Sequence, residues 1–232
     1  MTQSELVPTR RALHRIAAHV LGRRRYQVAG RFGLRASPAG FATPAFGEGA
    51  EVIRVSGTRL VREGPDGVAF MPIPGSSLAG LARFAGTDLG GGFSVGTDTP
   101  DTGDPDETLR VDPAAAEAIA AWLDLGWRVL DGVIGTLGRE AEPAVLQLWP
   151  EHFDAGTNVA VGADRRVNLG VSPGDDLCPE PYLYVGPWGP ERPGDQGYWN
   201  VSFGALRRSS ELGDDREGEA HRFITRGLEY LR

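Results

Sequence analysis

Short strand-like segments separated by glycine and proline follow a helical pattern twice along this chain. The first set covers residues 31–36, 41–46, 51–55, 58–63 and 68–72, and the second covers residues 144–149, 157–161, 166–171, 181–185 and 201–207. Such short segments joined by turns pair as antiparallel neighbours, because parallel strands need long crossover connections. The pattern predicts an α+β fold in which helices cover a mainly antiparallel sheet, with two similar helix-plus-strands halves as an option.

Apolar periodicity and capping residues predict the helices. Pro8 suits the first position of a helix over residues 8–25. Asp112 and Pro113 supply the N-cap and first residue of the most apolar helix. The other predicted caps are Ser76 or Ser77 for a short helix and Asp214 or Asp215 for a C-terminal helix.

The segment 86–112 is the natural linker of the chain. It contains three consecutive glycines followed by five acidic residues between positions 98 and 107, and it has no arginine before Arg110. This composition is typical of a flexible, solvated loop. A length of 232 residues fits one large domain or two packed halves. We predict a single compact domain over residues 1–232, or halves 1–90 and 112–232 joined by this loop.

Composition excludes several kinds of chemistry. All 24 residues counted as lysine or arginine are arginine, which excludes a P-loop, Schiff-base or pyridoxal-phosphate lysine. Cys178 is the only cysteine, so no intramolecular disulfide forms, as in a reducing cytoplasm. No apolar run approaches the roughly 20 residues of a membrane span. We expect a cytoplasmic bacterial protein without cofactor or membrane contact, monomeric or homodimeric.

Positive charge is concentrated at the start of the chain. Residues 1–35 hold eight arginines and one acid, although the whole chain has a net charge of −7. A basic amphipathic helix on an acidic body can contact nucleic acid or an anionic membrane. More often such a helix pairs with its own acidic body, so we do not expect nucleic-acid binding.

Three stretches resemble a known family. The sequences QLWPEHFD at 147–154, VNLGVSPGD at 167–175 and PEPYLYV at 179–185 resemble a bacterial family of uncharacterised proteins, defined only as a domain of unknown function. The resemblance extends more weakly to the N-terminal helix and to the helix at 113–137. It implies a common fold unit over most of the chain. That family has no known activity, ligand or catalytic residue, so the resemblance implies no chemistry.

The sequence Gly170-Val171-Ser172-Pro173-Gly174 matches the G-x-S-x-G nucleophile elbow of serine hydrolases. In that elbow the residue after the serine donates its backbone N–H to the oxyanion hole. Proline in that position has no N–H to donate. Proline in second place and glycine in third place instead predict a type II turn over residues 172–175.

One histidine with nearby carboxylates offers candidate acid/base or metal chemistry. If the chain around it is extended, His152 and Asp154 point to one side and Glu151 to the other. Asp175 and Glu180 follow a hairpin that returns to the same end of the sheet. Such a set can bind a hard divalent ion or supply an acid/base pair, although one histidine is few for a metal and we predict no metal. Alternatively, these side chains hydrogen-bond strand ends and close turns.

Aromatic residues crowd between positions 149 and 199. Tyr182 and Tyr184 share a face if residues 181–185 form a strand. Aromatic surfaces beside carboxylates are typical of pockets for a sugar or a flat polar ligand, although aromatic residues also serve simply as packing. The predicted ligand-binding residues are Trp149, Glu151, His152, Asp154, Asp175, Glu180, Tyr182, Tyr184, Trp188 and Trp199.

Two functions are consistent with the sequence. One is a pocket that binds a small sugar-like or flat polar molecule, with or without weak enzymatic activity, and with no catalytic residue assigned. The other is a protein-interaction module without catalysis that uses the arginine-rich helix or an exposed aromatic surface. The interaction module predicts an exposed apolar patch and no concave pocket, so a structure distinguishes the two.

Overall fold

Helices and two antiparallel sheets give this protein an α+β fold, which confirms the sequence prediction. The structure is a computed structural model that describes residues 3–162 and 164–232. Within these ranges, both sheets have five strands that lie side by side in the order of the chain. Each sheet is therefore a meander whose strands pair with their sequence neighbours.

The first sheet is formed by β1 (Arg35–Ser37), β2 (Gly40–Ala42), β3 (Val52–Ser56), β4 (Arg59–Gly64) and β5 (Gly67–Pro72). Alternate residues of β3, Ile53 and Val55, are buried, so one face of the sheet packs against the core. The predicted strands 51–55 and 58–63 form a hairpin, and its turn lies one residue beyond the gap between these predicted ranges. Ser56 pairs with Arg59, and Gly57 has a φ of 58°.

The second sheet is formed by β6 (Gln147–Trp149), β7 (Asp154–Gly162), β8 (Arg165–Ser172), β9 (Tyr182–Pro187) and β10 (Ala205–Arg208). Its spatial order is β10-β9-β8-β7-β6. Aliphatic side chains at alternate positions of β7, β8 and β9 are buried, among them Val159, Leu169 and Val185. The alternation gives the sheet one aliphatic face, and the opposite face carries the polar side chains described below.

The helices are α1 (Gln3–Ile16), α2 (Arg23–Ala29), α3 (Leu78–Phe84), α4 (Pro113–Thr136) and α5 (Arg216–Leu231), and a π-helical stretch (Ala17–Gly22) joins the first two. The predicted caps are confirmed, because Ser77, Asp112 and Asp215 each accept a backbone N–H three residues later. None of these helices is both long and apolar enough to cross a bilayer, as judged over the described residues.

The predicted start of the first helix is wrong. Pro8 lies inside α1, which already includes Gln3. Little more than one helical turn precedes Pro8, so its missing N–H and bulky ring perturb the end of the helix rather than its middle. The helical path also continues past residue 25 to Ala29, where Gly30 ends it with a φ of 65°.

Contacts divide the chain into two compact units. The first unit comprises residues 3–124 and 148–153, and the second comprises residues 125–147 and 154–232. The division passes through α4, whereas composition places the boundary of the halves at the loop 86–112. Each unit therefore contains part of the long apolar helix.

Arginines of the N-terminal helices hold the loop 86–112 within the first unit. The Arg15 guanidinium donates to the Thr102 carbonyl, and the Arg23 guanidinium donates to the Gly90 carbonyl. Arg23 is only 5% exposed. These arginines therefore bind their own chain and tie the loop to the helices, while many residues of the loop remain exposed, as its composition predicts.

Candidate functional site

One face of the second sheet is polar and is built by β7, β8 and β9. The register pairs Asn158 with Asn168 and Gly170 with Tyr184, so these residues share a face. Leu169, between two of them, points the other way and is fully buried. The aliphatic face thus holds the sheet in the core, and the polar face is where binding groups can assemble.

Tyr184 lies flat across this face and reaches Asp154, which is two strands away on β7. The phenol hydroxyl donates to Asp154 Oδ2. A Cβ on Gly170 would lie 2.2 Å from Tyr184 Cζ, and a Cβ on Gly156 would lie 3.1 Å from the phenol oxygen. The two glycines therefore provide the space in which the ring crosses the sheet.

A second phenol–carboxylate pair lies beside the first. The hydroxyl of Tyr182 donates to Asp175 Oδ2, and its ring centre is 6.2 Å from that of Tyr184. Asp175 Oδ1 accepts the backbone N–H groups of Leu177 and Cys178, both at 2.9 Å. Asp175 therefore closes the turn after β8 and orients Tyr182 at the same time.

In the segment that follows β8, the predicted glycine position has the positive φ that its sequence indicates. Gly174 has a φ of 104°, as the third position of a type II turn requires. Its N–H donates to Ser172 Oγ at 3.1 Å, and Ser172 is only 2% exposed. A buried serine followed by Pro173 has neither the access nor the oxyanion donor of a nucleophile elbow, which agrees with the rejection of that motif.

Burial keeps both phenols of this network protonated. Desolvation raises the pKa of Tyr184 well above its ordinary value, and the charge of Asp154 and the hydrogen bond to it act in the same direction. Desolvation also raises the pKa of Tyr182, followed by the hydrogen bond to Asp175. A phenol of raised pKa donates a hydrogen bond but does not act as a base near neutral pH. The network therefore orders the sheet face and its adjoining turn.

An open cleft of about 770 Å³ lies at the opposite end of the polar face, within the second unit. Its walls come from the turn after α4, the β7–β8 hairpin, the segment after β9 and the residue that follows α5. A cleft of this volume falls in the range of roughly 300–1,000 Å³ that is typical of small-molecule sites. The polar and aromatic lining residues are Glu140, Glu142, Asp164, Arg165, Arg166, Trp188 and Arg232.

Trp188 stands at the rim of the cleft. It is 63% exposed, yet its indole N–H donates to Asn168 Oδ1 at 2.8 Å. Its backbone N–H donates to the carbonyl of Arg166 at 3.0 Å, and the guanidinium carbon of Arg166 lies 6.0 Å from the ring centre. The indole is therefore held in one orientation while much of its surface stays open to a ligand.

Arg166 fastens one wall of the cleft to the sheet. Its Nε donates to Asn158 Oδ1 at 2.6 Å, and one terminal nitrogen donates to the Glu142 carbonyl at 2.8 Å. The neighbouring Arg165 lies 3.4 Å from a carboxylate oxygen of Glu191. These bonds fix the wall before any ligand binds, and they leave charged groups of both signs around the cleft.

Two other predicted residues of the second unit have packing roles. Glu180 accepts the Ser210 hydroxyl at 3.0 Å and lies 3.5 Å from Arg208 Nε, so it anchors the chain after β10. The indole N–H of Trp199 donates to the Pro193 carbonyl at 2.7 Å, and its ring belongs to an aromatic cluster against α5. Neither residue is among the described residues that line the cleft.

The remaining predicted residues, Trp149, Glu151 and His152, lie in the first unit. The chain after Trp149 turns instead of staying extended, because the Phe153 N–H donates to the Trp149 carbonyl at 2.8 Å and Phe153 has a φ of 56°. The predicted projection of His152 and Asp154 from one side of a strand is therefore wrong. The turn breaks the two-residue alternation on which that prediction depends.

His152 pairs with two carboxylates of the first unit. Its Nε2 is 2.9 Å from Glu151 Oε1, and its Nδ1 is 3.3 Å from Asp98 Oδ2. The Glu151 carboxylate lies so close to Gly96 that a Cβ there would be 1.6 Å from Oε2. The side chain of His152 is 45% exposed. This cluster fastens the loop 86–112 to the turn after β6. Glu151 and His152 therefore have a structural role of the kind predicted as the alternative to acid/base or metal chemistry.

His14 supports the same turn from α1. Its Nε2 lies 3.1 Å from the Pro150 carbonyl and 2.9 Å from the Glu151 carbonyl, and its ring stacks on Phe153 at 5.5 Å. Burial lowers the pKa of His14 to about 4. The ring is therefore neutral at physiological pH and donates its N–H to the turn.

Across the described ranges, no group of three or more histidine, cysteine or carboxylate side chains is arranged to hold a metal ion. Of the ten predicted ligand-binding residues, all of which are described, Trp188 lines the cleft. Asp154, Tyr184 and Tyr182 belong to the same sheet face, where Tyr184 pairs with Asp154 and Tyr182 pairs with Asp175 of the adjoining turn.

Sequence reasoning missed most of the cleft. Glu142, the adjacent pair Arg165 and Arg166, and Trp188 line the same cleft, although these three positions are far apart in the chain. The predicted turn between β7 and β8 was the available signal for the two arginines, because a hairpin end brings its charged residues to a sheet edge. Nothing local in the sequence signals the approach of Glu142.

No protein-family model matches this chain, and neither the curated proteins nor the solved structures compared with it include a significant match. The resemblance of residues 147–185 to an uncharacterised bacterial family therefore stays a prediction. The geometry of the cleft and of the polar sheet face is what bears on function.

Proposed function

We propose that the second unit binds a small, flat polar ligand, such as a sugar, in the cleft beside Trp188. The observation that carries this proposal is the indole itself, which is 63% exposed yet held by a 2.8 Å hydrogen bond to Asn168. A fixed and exposed aromatic ring beside a cleft supplies a stacking surface at little cost in side-chain entropy.

The charges of the lining favour a neutral ligand rich in hydroxyl groups. Three arginines and three carboxylates line the cleft, so neither sign dominates. Hydroxyl groups both donate and accept hydrogen bonds, and they can use guanidinium donors and carboxylate acceptors in one site. A strongly anionic or cationic ligand would meet like charges in the same walls.

The wall that faces the indole is already assembled. Arg166 bonds to Asn158 and to the Glu142 carbonyl at 2.6 and 2.8 Å, so these groups need no rearrangement to receive a ligand. Binding to a preformed site avoids the ordering cost that weakens flexible sites. The ligand therefore stacks on Trp188 and hydrogen-bonds the charged groups of this wall.

Saturation-transfer NMR tests the proposal with a panel of neutral monosaccharides, disaccharides and nucleosides. The wild-type protein transfers saturation to at least one member of the panel. Trp188→Ala raises the Kd for that ligand about tenfold, which corresponds to about 1.4 kcal/mol of lost stacking. Trp188→Phe keeps an aromatic surface and weakens binding less.

Leu177→Ala is the matched control, because Leu177 is 59% exposed in the same unit and does not line the cleft. This variant binds as the wild type does. A panel in which no compound receives saturation, or a Trp188→Ala variant that binds with unchanged Kd, contradicts the proposal.

A further inference from the structure

The outer strand of the first sheet is exposed along its length. β5 ends the strand order of that sheet, and residues 67–70 are all exposed. Val68 is 70% exposed and Phe70 is 60% exposed, and they lie two residues apart on one face. An apolar outer strand of this kind is a template for pairing with another strand.

The register of the β4–β5 hairpin shows which backbone groups of β5 are available. Gly64 and Gly67 close a two-residue turn, so this pair exchanges hydrogen bonds, and the bonded pairs then alternate along the strands. Ala69 and Met71 therefore bond to β4. The N–H and C=O groups of Val68 and Phe70 point to the outer edge.

We propose that two copies of this chain associate by antiparallel pairing of β5 with β5, with Val68 of one copy opposite Phe70 of the other. A twofold axis at Ala69 places the outward N–H and C=O groups of residues 68 and 70 opposite each other, as a hydrogen-bonded pair requires. A β-branched side chain then faces an aromatic one on both sides of the axis, which is a favourable cross-strand pair. This inference is independent of the cleft.

Charge complementarity supports a second copy as the occupant. In this register Asp66 of one copy lies opposite Pro72 of the other, and Arg59 is the β4 partner of Pro72. Asp66, in the turn that precedes β5, thus lies at the end of one copy that meets Pro72 and Arg59 of the other, at about 10 Å between backbones. The Arg59 guanidinium already lies toward β5, 4.8 Å from the ring centre of Phe70. The strand is thus self-complementary in shape and in charge.

Pro72 limits the pairing to this short segment, because it has no N–H to offer at the outer edge. A single pair of short strands covers less than the roughly 800 Å² per partner of a standard interface. We therefore expect a dimer that dissociates in the micromolar to millimolar range and joins the two first sheets into one continuous sheet.

A disulfide trap tests the register. Ala69→Cys, made together with Cys178→Ala, places two thiols opposite each other at a non-hydrogen-bonded pair, where a disulfide can close. Mild oxidation is expected to give at least about tenfold more covalent dimer than the matched variant Val145→Cys, Cys178→Ala. Val145 is 79% exposed but lies in the second unit. Equal trapping of the two variants overturns the proposal.

A second experiment introduces opposite charges at positions 68 and 70, which face each other across the twofold axis. Sedimentation equilibrium from about 1 µM to about 1 mM measures the dimer Kd. Val68→Glu and Phe70→Lys each raise the dimer Kd at least about tenfold, because each buries a charge against an apolar partner. The double variant recovers most of that loss, since each new acid then faces a new base. A wild-type protein that stays monomeric, or a double variant no tighter than the single ones, overturns the proposal and leaves the strand to a different partner.

Discussion

Replacing His14 with glutamine should remove part of the acid sensitivity of the fold. Its ring donates to the turn at Pro150 and Glu151, and burial lowers its pKa from 6.5 to about 4. A histidine whose pKa is lowered by folding stabilises the protein fully above pH 6.5, and that contribution is lost as the pH falls towards 4.

The size of the effect follows from the two pKa values of His14. Between pH 8 and pH 5, a shift from 6.5 to about 4 corresponds to about 2 kcal/mol of unfolding free energy. The side chain is half-buried rather than fully enclosed, so solvent screening reduces this to about 1–2 kcal/mol. His14→Gln keeps an N–H donor in a similar place but does not titrate.

Urea denaturation at pH 8 and pH 5 measures the difference. The wild type loses about 1–2 kcal/mol more of its unfolding free energy on acidification than His14→Gln does. Ile16→Val is the control, because Ile16 is fully buried on the same helix and its truncation costs about 1 kcal/mol at both pH values. Equal acid losses in wild type and His14→Gln would refute the assigned role of burial.

Three other substitutions test contacts within each of the two units. Gly126→Ala should lower the unfolding free energy by about 1–3 kcal/mol in thermal melts, because the new Cβ would lie 2.2 Å from Val171 Cγ1, whereas unchanged stability would mean that the contact relaxes freely. Burial raises the pKa of Tyr198 above 10, so stability present below pH 10 is lost as the pH rises further, and Tyr198→Phe should reduce the loss seen in urea titrations at pH 9 and 11. His152→Ala should speed amide hydrogen exchange in the loop 86–112 without altering exchange in the second unit. Unchanged exchange in the loop would mean that the contacts of His152 with Glu151 and Asp98 do not hold the loop in place.

Local chemistry made the secondary structure predictable. Asp112 caps α4, and Gly174 takes the positive φ that its turn requires, both as the sequence indicates. These features depend on a few adjacent residues and their own hydrogen bonds, so no tertiary contact is needed to infer them. The start of α1 was missed because Pro8 is tolerated inside its N-terminal part as well as at its first position.

The site was less predictable, because it depends on which strands are neighbours. The pairing of Tyr184 with Asp154 requires that β9, β8 and β7 lie side by side and that Gly170 and Gly156 leave room for the ring. The aromatic crowding in the sequence pointed to this region, but it did not separate the exposed Trp188 from the packed Trp199.

The sequence by itself determined the α+β class, the approximate positions of the strands, and the absence of lysine and disulfide chemistry. The tertiary structure alone decided that α4 is divided between two units, that the N-terminal arginines bind the loop 86–112, and that Glu142 and Arg166 meet Trp188 around one cleft. The physical reason is range. Caps, turns and alternation act over a few residues, whereas a cleft is a coincidence of distant segments that only packing brings about.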